Sequence, residues 1–109
     1  YAPARKMIDE GCCVAVASDL NPGSCFSASI PLLIALSTIY MKMTVEETIA
    51  ALTINAAKAI NQHDKVGSLE VGKAGDAVIL KYPSYKFLSY HFGMNLVDTT
   101  IKSGKLYKY

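Results

Sequence analysis

Cys12-Cys13-Val14-Ala15-Val16-Ala17 is a run of six apolar residues with no polar alternation. A strand with one wet face alternates apolar and polar residues. A continuous short run bounded by turn residues reads instead as a strand buried on both faces, as in a parallel sheet. Gly11 bounds this run on one side, and Ser18-Asp19-Leu20-Asn21-Pro22-Gly23-Ser24 bounds it on the other. Such a strand needs a neighbour on each edge and cover on each face, yet nothing else in the sequence reads as its parallel partner. The expectation is a fragment of a larger α/β unit, or a chain completed by another chain.

The flanking segments read as helices. Pro3 to Glu10 forms one, with proline early and Gly11 at its stop. Ile30 to Met43 forms another that is apolar nearly all round, with Pro31 tolerated in its first turn. Its twelve-residue core, Ile30 to Met41, is too short to span a bilayer, so it needs protein cover on more than one side. Thr44 to Ile60 is the clearest helix. Thr44 and Glu47 have capping-box spacing, and Ile49, Leu52, Ala56 and Ile60 make one apolar stripe.

The pattern changes after the polar stretch Gln62-His63-Asp64-Lys65. We place a boundary there, with one unit at 1–65 and a β-rich unit at 66–109. Asp76 to Lys81 reads as a strand and Tyr85 to Phe92 as a short helix. Val97 to Lys102 and Lys105 to Tyr109 read as strands around the turn Ser103-Gly104. Tyr82, Tyr85, Tyr90, Tyr107 and Tyr109 have no interleaved basic residues, so they read as cover for a sheet face rather than a stacking platform for single strands.

Composition narrows the function classes. Half the chain (51%) is apolar and 18% is charged, which argues against disorder. A net charge of +2, with basic residues scattered, argues against nucleic acid and anionic membranes as partners. No leader pattern opens the chain, and the absence of an initiator Met reads as a start within a longer protein. Cys12, Cys13 and Cys25 are an odd set with two adjacent members, a poor disulfide framework. They read as small buried apolar residues in a reducing, cytoplasmic setting. Gly67, Gly72 and Gly75 lack the strand–loop–helix context of a phosphate cradle and read as turns.

The residues that carry chemistry follow the apolar run. Asp19 sits where a buried strand would emerge, followed by Asn21-Pro22-Gly23-Ser24 and then a helix. In α/β barrels catalytic groups gather at this end of the strands. An aspartate there can ligate a metal or take a proton from water. Asn21 carries both donor and acceptor atoms, Gly23 permits close backbone approach, and Ser24 adds a hydroxyl. The same residue types also make ordinary turns, so composition by itself leaves both readings open.

Several segments together resemble the imidazolonepropionase family of the amidohydrolase superfamily. They are Tyr1-Ala2-Pro3-Ala4-Arg5-Lys6-Met7-Ile8-Asp9, Val14 through Ser24, Met43-Thr44-Val45-Glu46-Glu47, Thr53-Ile54-Asn55-Ala56-Ala57-Lys58-Ala59 and Gly67 through Ile79. The Gly67 to Asp76 stretch is similar to that of many amidohydrolases. The Asn-Pro-Gly-Ser turn directly after an aspartate narrows the likeness to imidazolonepropionase. Leu20 stands where that family often has Phe.

The resemblance implies an α/β fold. The chain would be the C-terminal part of a (β/α)8 metal-dependent hydrolase barrel, supplying its last strand and helices, plus the C-terminal strands of a composite β-sandwich. It implies hydrolysis of 4-imidazolone-5-propanoate to N-formimidoyl-L-glutamate, aided by one divalent metal, zinc or iron. Asp19 would be a metal ligand and catalytic proton acceptor. Asn21, Gly23 and Ser24 would contact substrate or product. The expected partner is this small molecule, in a cytoplasmic homo-oligomer. The family's His-x-His pair, its third histidine and its propionate-binding residues have no counterpart here. His63 and His91 lack metal-ligand spacing to Asp19, and Cys25 has no base to activate it. The 109 residues would therefore be inactive alone. A deaminase or dihydroorotase-like relative, or a non-catalytic assembly module, are the competing readings.

Overall fold

The computed structural model describes residues 1–108. In chain order its elements are α1 (Ala4–Asp9), α2 (Ile30–Ile39), α3 (Val45–Leu52), α4 (Ile54–Ala59), β1 (Ala77–Leu80), α5 (Phe87–Tyr90), β2 (Val97–Lys102) and β3 (Lys105–Lys108). The expected strand ending at Tyr109 is present to Lys108, and its last residue lies outside the described residues.

Local chemistry explains the helix ends. The Ser29 hydroxyl accepts from the Leu32 N–H at 3.3 Å, so α2 opens on a side-chain cap with Pro31 in its first turn. This helix stops at Ile39 rather than at Met43. There the Met41 N–H reaches the Leu36 carbonyl and the Met43 N–H the Ser37 carbonyl, with Lys42 in the left-handed region at φ 57°. Wide closures of this kind satisfy carbonyls that a helix end leaves orphaned. The capping box at α3 is present in full: Thr44 Oγ1 accepts from the Glu47 N–H at 3.1 Å, and Glu47 Oε2 accepts from the Thr44 N–H at 2.8 Å.

The single helix expected over Thr44 to Ile60 is two. Thr53, at φ −119° and ψ −94°, separates α3 from α4. Its hydroxyl donates to the Ile49 carbonyl at 2.7 Å, a side-chain competition that bends helices.

The run Cys12 to Ala17 forms no strand and is not buried on both faces. It is an extended segment whose burial alternates: Val14 and Val16 are half-buried, whereas Cys12, Cys13, Ala15 and Ala17 are exposed. The physical reason is the lack of a ladder partner, since the described residues pair into one sheet built elsewhere. One edge of the segment is held by the helix break. The Val16 N–H donates to the Ala51 carbonyl at 3.0 Å, and Asn55 Nδ2 donates to the Val14 carbonyl at 3.0 Å. The cysteines are free, with Cys12 and Cys13 exposed and Cys25 half-buried, so the expectation of three buried thiols is corrected.

The sheet is antiparallel in the order β1-β2-β3. Ala77 faces Ile101 and Val78 faces Thr100, with an irregularity between Ile79 and Leu80. Lys102 faces Lys105 across a two-residue turn in which Ser103 and Gly104 both have positive φ, 51° and 79°. That is the hairpin geometry whose twist matches the strands. The Gly104 N–H donates to the Gly75 carbonyl at 2.8 Å, and Asp76 takes the Ser103 N–H and the Lys102 ammonium, each at 2.8 Å.

The architecture is thus α/β with a small antiparallel sheet. A core of Ala4, Met43 and Ala51 is flanked by Ile8, Val14, Val16 and Met41. Much apolar surface remains open. On α2, Ile30, Leu32 and Ile39 are each more than 40% exposed, as expected for a helix apolar all round. A groove of about 940 Å³ runs between the helices and the sheet, lined by the stripe Ile49, Leu52, Ala56 and Ile60 and by Val78 and Ile101. No helix among the described residues is long and apolar enough to cross a membrane.

Tyr82, Tyr85 and Tyr107 make different contacts. Tyr82 stacks on Phe87 at 4.9 Å, with His91 edge-on at 4.8 Å, while the Tyr85 hydroxyl donates to Glu46 at 2.8 Å. Tyr107 is half-exposed beneath the Lys105 ammonium.

Candidate active-site loop

The extended segment through Val14 and Val16, both half-buried, leads into Ser18, Asp19 and Leu20. Its attachment to Ala51 and Asn55 anchors the entry to the loop. A short antiparallel bridge closes the exit, where the Asn21 N–H donates to the Cys25 carbonyl at 2.8 Å. Cys25 Sγ lies 3.0 Å from the Ser18 carbonyl and ties the two arms together from inside. Its thiol is thus a structural donor, in keeping with its lack of a base partner.

Asn21 organises the tip. Its Oδ1 accepts the Gly23 N–H at 2.9 Å and the Ser24 N–H at 2.7 Å. Its Nδ2 donates to the Asp19 carbonyl at 2.7 Å and lies 3.3 Å from Ser24 Oγ. An asparagine that mimics a backbone turn in this way explains why Asn, Pro, Gly and Ser follow one another here. Gly23 needs no left-handed backbone; a Cβ there would come within 3.2 Å of Asn21 Oδ1.

Asp19 occupies the left-handed region at φ 51° and is exposed. Among the described residues its carboxylate makes no hydrogen bond or salt bridge, so it is free to meet water or a ligand. The structure therefore brings Asp19, Asn21, Gly23 and Ser24 into one loop. His91 packs among Tyr82, Phe87 and Tyr90, and His63 Nε2 lies 3.7 Å from Asp64. No group of three or more His, Cys, Asp or Glu side chains among the described residues could share an ion. Zinc sites take three or four protein donors, so these residues alone do not fit a resident metal.

Two structural ties near the loop and the helices carry no clear sequence signal. One is the grip of Asn55 on Val14, 41 residues apart. The signal was present as an asparagine just inside a helix start, but its target depends on the break at Thr53. The other is Arg5, whose guanidinium bridges α1 to the α3 capping box through Glu47.

Comparison with known proteins gives a consistent picture. The family model described as "Amidohydrolase family" matches residues 1–107. A protein of Porphyromonas gingivalis named "Imidazolonepropionase" is 71% identical over 106 residues, covering 97% of this chain and 25% of its own. One of the same name from Parabacteroides distasonis is 70% identical over 107 residues, covering 98% and 26%. The chain thus spans about a quarter of the length of the curated relatives it matches. Among solved structures, an amidohydrolase from Thermotoga maritima shares the fold with a TM-score of 0.73 at 20% identity, over 97% of this chain and 26% of that one.

Proposed function

This chain belongs to the amidohydrolase family, and from that premise we propose that the longer protein to which it corresponds hydrolyses 4-imidazolone-5-propanoate to N-formimidoyl-L-glutamate in histidine degradation. The observation that carries the reading is the free Asp19 carboxylate at the head of the Asn21-Pro22-Gly23-Ser24 turn. High identity to proteins named imidazolonepropionase supports it.

In this reading the oxygen of water bonds to the ring carbonyl carbon and the ring carbon–nitrogen bond breaks. Asp19 accepts the water proton and returns it to the departing nitrogen, the task of a general base that becomes a general acid. The turn formed by Asn21, Gly23 and Ser24 is the rim beside substrate and product.

Amidohydrolases are generally metal-dependent. One divalent ion, zinc or iron, belongs to the proposal for the longer protein, with Asp19 contributing a single carboxylate. The proposal also places 1–65 at the end of a (β/α)8 barrel and 66–109 in a β-sandwich. The unpaired edge of Cys13, Ala15 and Ala17 supports this, because an open edge is a template for another strand. A cytoplasmic homo-oligomer completes the reading.

The test is steady-state turnover of 4-imidazolone-5-propanoate by the longer protein and by its Asp19→Asn variant. The variant keeps the side chain's size and removes its basicity. Turnover should fall at least about a hundredfold. Turnover within a few fold of the parent would show that Asp19 is not the proton acceptor. A parent protein inert toward this substrate would remove the substrate assignment.

A further inference from the structure

The break at Thr53 presents two hydrogen-bonding groups to the segment that leads to Asp19. In an unbroken helix the Ala51 carbonyl would accept from the Asn55 N–H, four residues on. Here it accepts from the Val16 N–H at 3.0 Å. Ala51 is fully buried, so its carbonyl needs a partner of this kind. Asn55 is the second residue of α4 and half-buried. Its Nδ2 donates to the Val14 carbonyl at 3.0 Å.

In an extended segment, residues two apart turn their backbone groups to the same edge. The helix break thus grips one edge at two successive points, Val14 and Val16, in the place a neighbouring strand would take. The side chains of the same two residues pack against the core of Ala4, Met43 and Ala51. Only Ala17 and Ser18 then separate Val16 from Asp19, about 10 Å of extended chain. With the backbone fixed at Val16, little freedom remains in where the Asp19 carboxylate can stand.

We propose that Asn55 is a positioning residue for the reaction: together with the Ala51 carbonyl, its side-chain amide clamps the backbone at Val14 and Val16 and so sets the place of the Asp19 carboxylate. Asn55 acts through the segment and not on a reacting atom. The inference rests on the reading of Asp19 as the proton acceptor, and it gives the division between α3 and α4 a task in the chemistry.

The experiment compares Asn55→Ala, Asn55→Asp, Glu47→Gln and Asp19→Asn in the longer protein. The readouts are steady-state kinetics on 4-imidazolone-5-propanoate and hydrogen exchange at the Val16 amide. Asn55→Asp keeps the shape of the side chain and removes the donor. Glu47→Gln loosens the tie between α1 and α3 and leaves the clamp intact, so it reports what a loss of stability does by itself. A positioning role predicts that kcat falls about tenfold or more in both Asn55 variants, because small misplacement of a reacting group is costly in rate, while KM moves by less than kcat. The Val16 amide should exchange faster in both, with the amides of β2 at parent rates. Glu47→Gln should keep the parent kcat and the parent exchange at Val16. Parent-like kcat in the Asn55 variants, a KM change larger than the kcat change, or an equal loss of kcat in Glu47→Gln overturns the inference while leaving Asp19 in place if Asp19→Asn is inactive. Parent-like turnover by Asp19→Asn, or a parent inert toward this substrate, removes the underlying reading and the positioning role with it. An unprotected Val16 amide in the parent protein, a measurement that needs no variant to fold, overturns the clamp whatever the substrate is.

Discussion

Arg5 and Glu47 form a two-pronged ion pair that joins α1 to the start of α3. Arg5 Nη1 lies 2.8 Å from Glu47 Oε2, and Nη2 lies 3.0 Å from Oε1. Glu47 Oε2 also closes the capping box by accepting from the Thr44 N–H. Arg5 also reaches Asp9 within its own helix. A single carboxylate thus serves as cap and as inter-helix tie. Paired planar hydrogen bonds of this kind add geometric specificity as well as energy.

This arrangement predicts an acid-sensitive fold. The Arg5 guanidinium, then the Thr44 N–H, hold the Glu47 carboxyl below its ordinary range. A carboxyl whose folded pKa is depressed contributes stability in full above its unfolded pKa and loses it as pH falls through the folded value. The Lys102 ammonium and Ser103 N–H depress Asp76 in the same sense. Melting temperature should therefore be steady near neutral pH and drop below the ordinary carboxylate range. Glu47→Gln should lower the melting temperature at neutral pH and flatten that acid slope. An unchanged slope would show that the tie contributes nothing in solution.

Gly67 should tolerate no side chain. Its φ is +98°, and an added Cβ would stand 2.7 Å from Ala57 Cβ and 3.1 Å from the Ile54 Cα. Left-handed strain and overpacking against α4 each cost about 1–3 kcal/mol. Gly67→Ala in the longer protein should lose at least about 2 kcal/mol by denaturant titration. A loss below half of that would mean that the segment after α4 sits farther from the helix.

Thr48 offers the opposite outcome. It is fully buried, and its hydroxyl has no hydrogen-bond partner among the described residues. Thr48→Val replaces that hydroxyl with a methyl group of nearly the same shape. Removing an unsatisfied buried polar group should raise stability by about 1 kcal/mol, read as a higher denaturation midpoint at unchanged slope. Destabilisation would reveal a partner for the hydroxyl, such as a bound water.

The 109-residue chain, made by itself, should show no turnover of 4-imidazolone-5-propanoate, since one carboxylate falls short of a metal site. It should also associate, because the groove beside Leu52 and Ile60 and the outer face of α2 leave apolar surface uncovered. Sedimentation velocity is the measurement, and a compact monomer at all concentrations would contradict the association.

Outside Cys12 to Ala17 and the break at Thr53, the order of elements was legible in the sequence because it depends on neighbours. Thr44 and Glu47 announced their capping box by spacing, Ser103-Gly104 its hairpin, and Pro31 its place in a first helical turn. The turn of Asp19, Asn21, Gly23 and Ser24 was equally legible, since the hydrogen bonds among these four residues span at most three positions. The tertiary structure decided what rests on distant partners. Cys12 to Ala17 is apolar enough for a doubly buried strand, but a ladder needs a second strand, and here helix groups from Ala51 and Asn55 take one edge instead. The break at Thr53 belongs to the same class, because periodicity runs unbroken through it while a hydroxyl bond to Ile49 and the grip on Val14 divide the helix. Arg5 carries no signal that names Glu47, 42 residues away. Local bonds repay the ordering of a few adjacent residues and so leave their mark in spacing. Long-range bonds form only after the chain has closed its loops, and the residues that make them carry no record of where their partners will be.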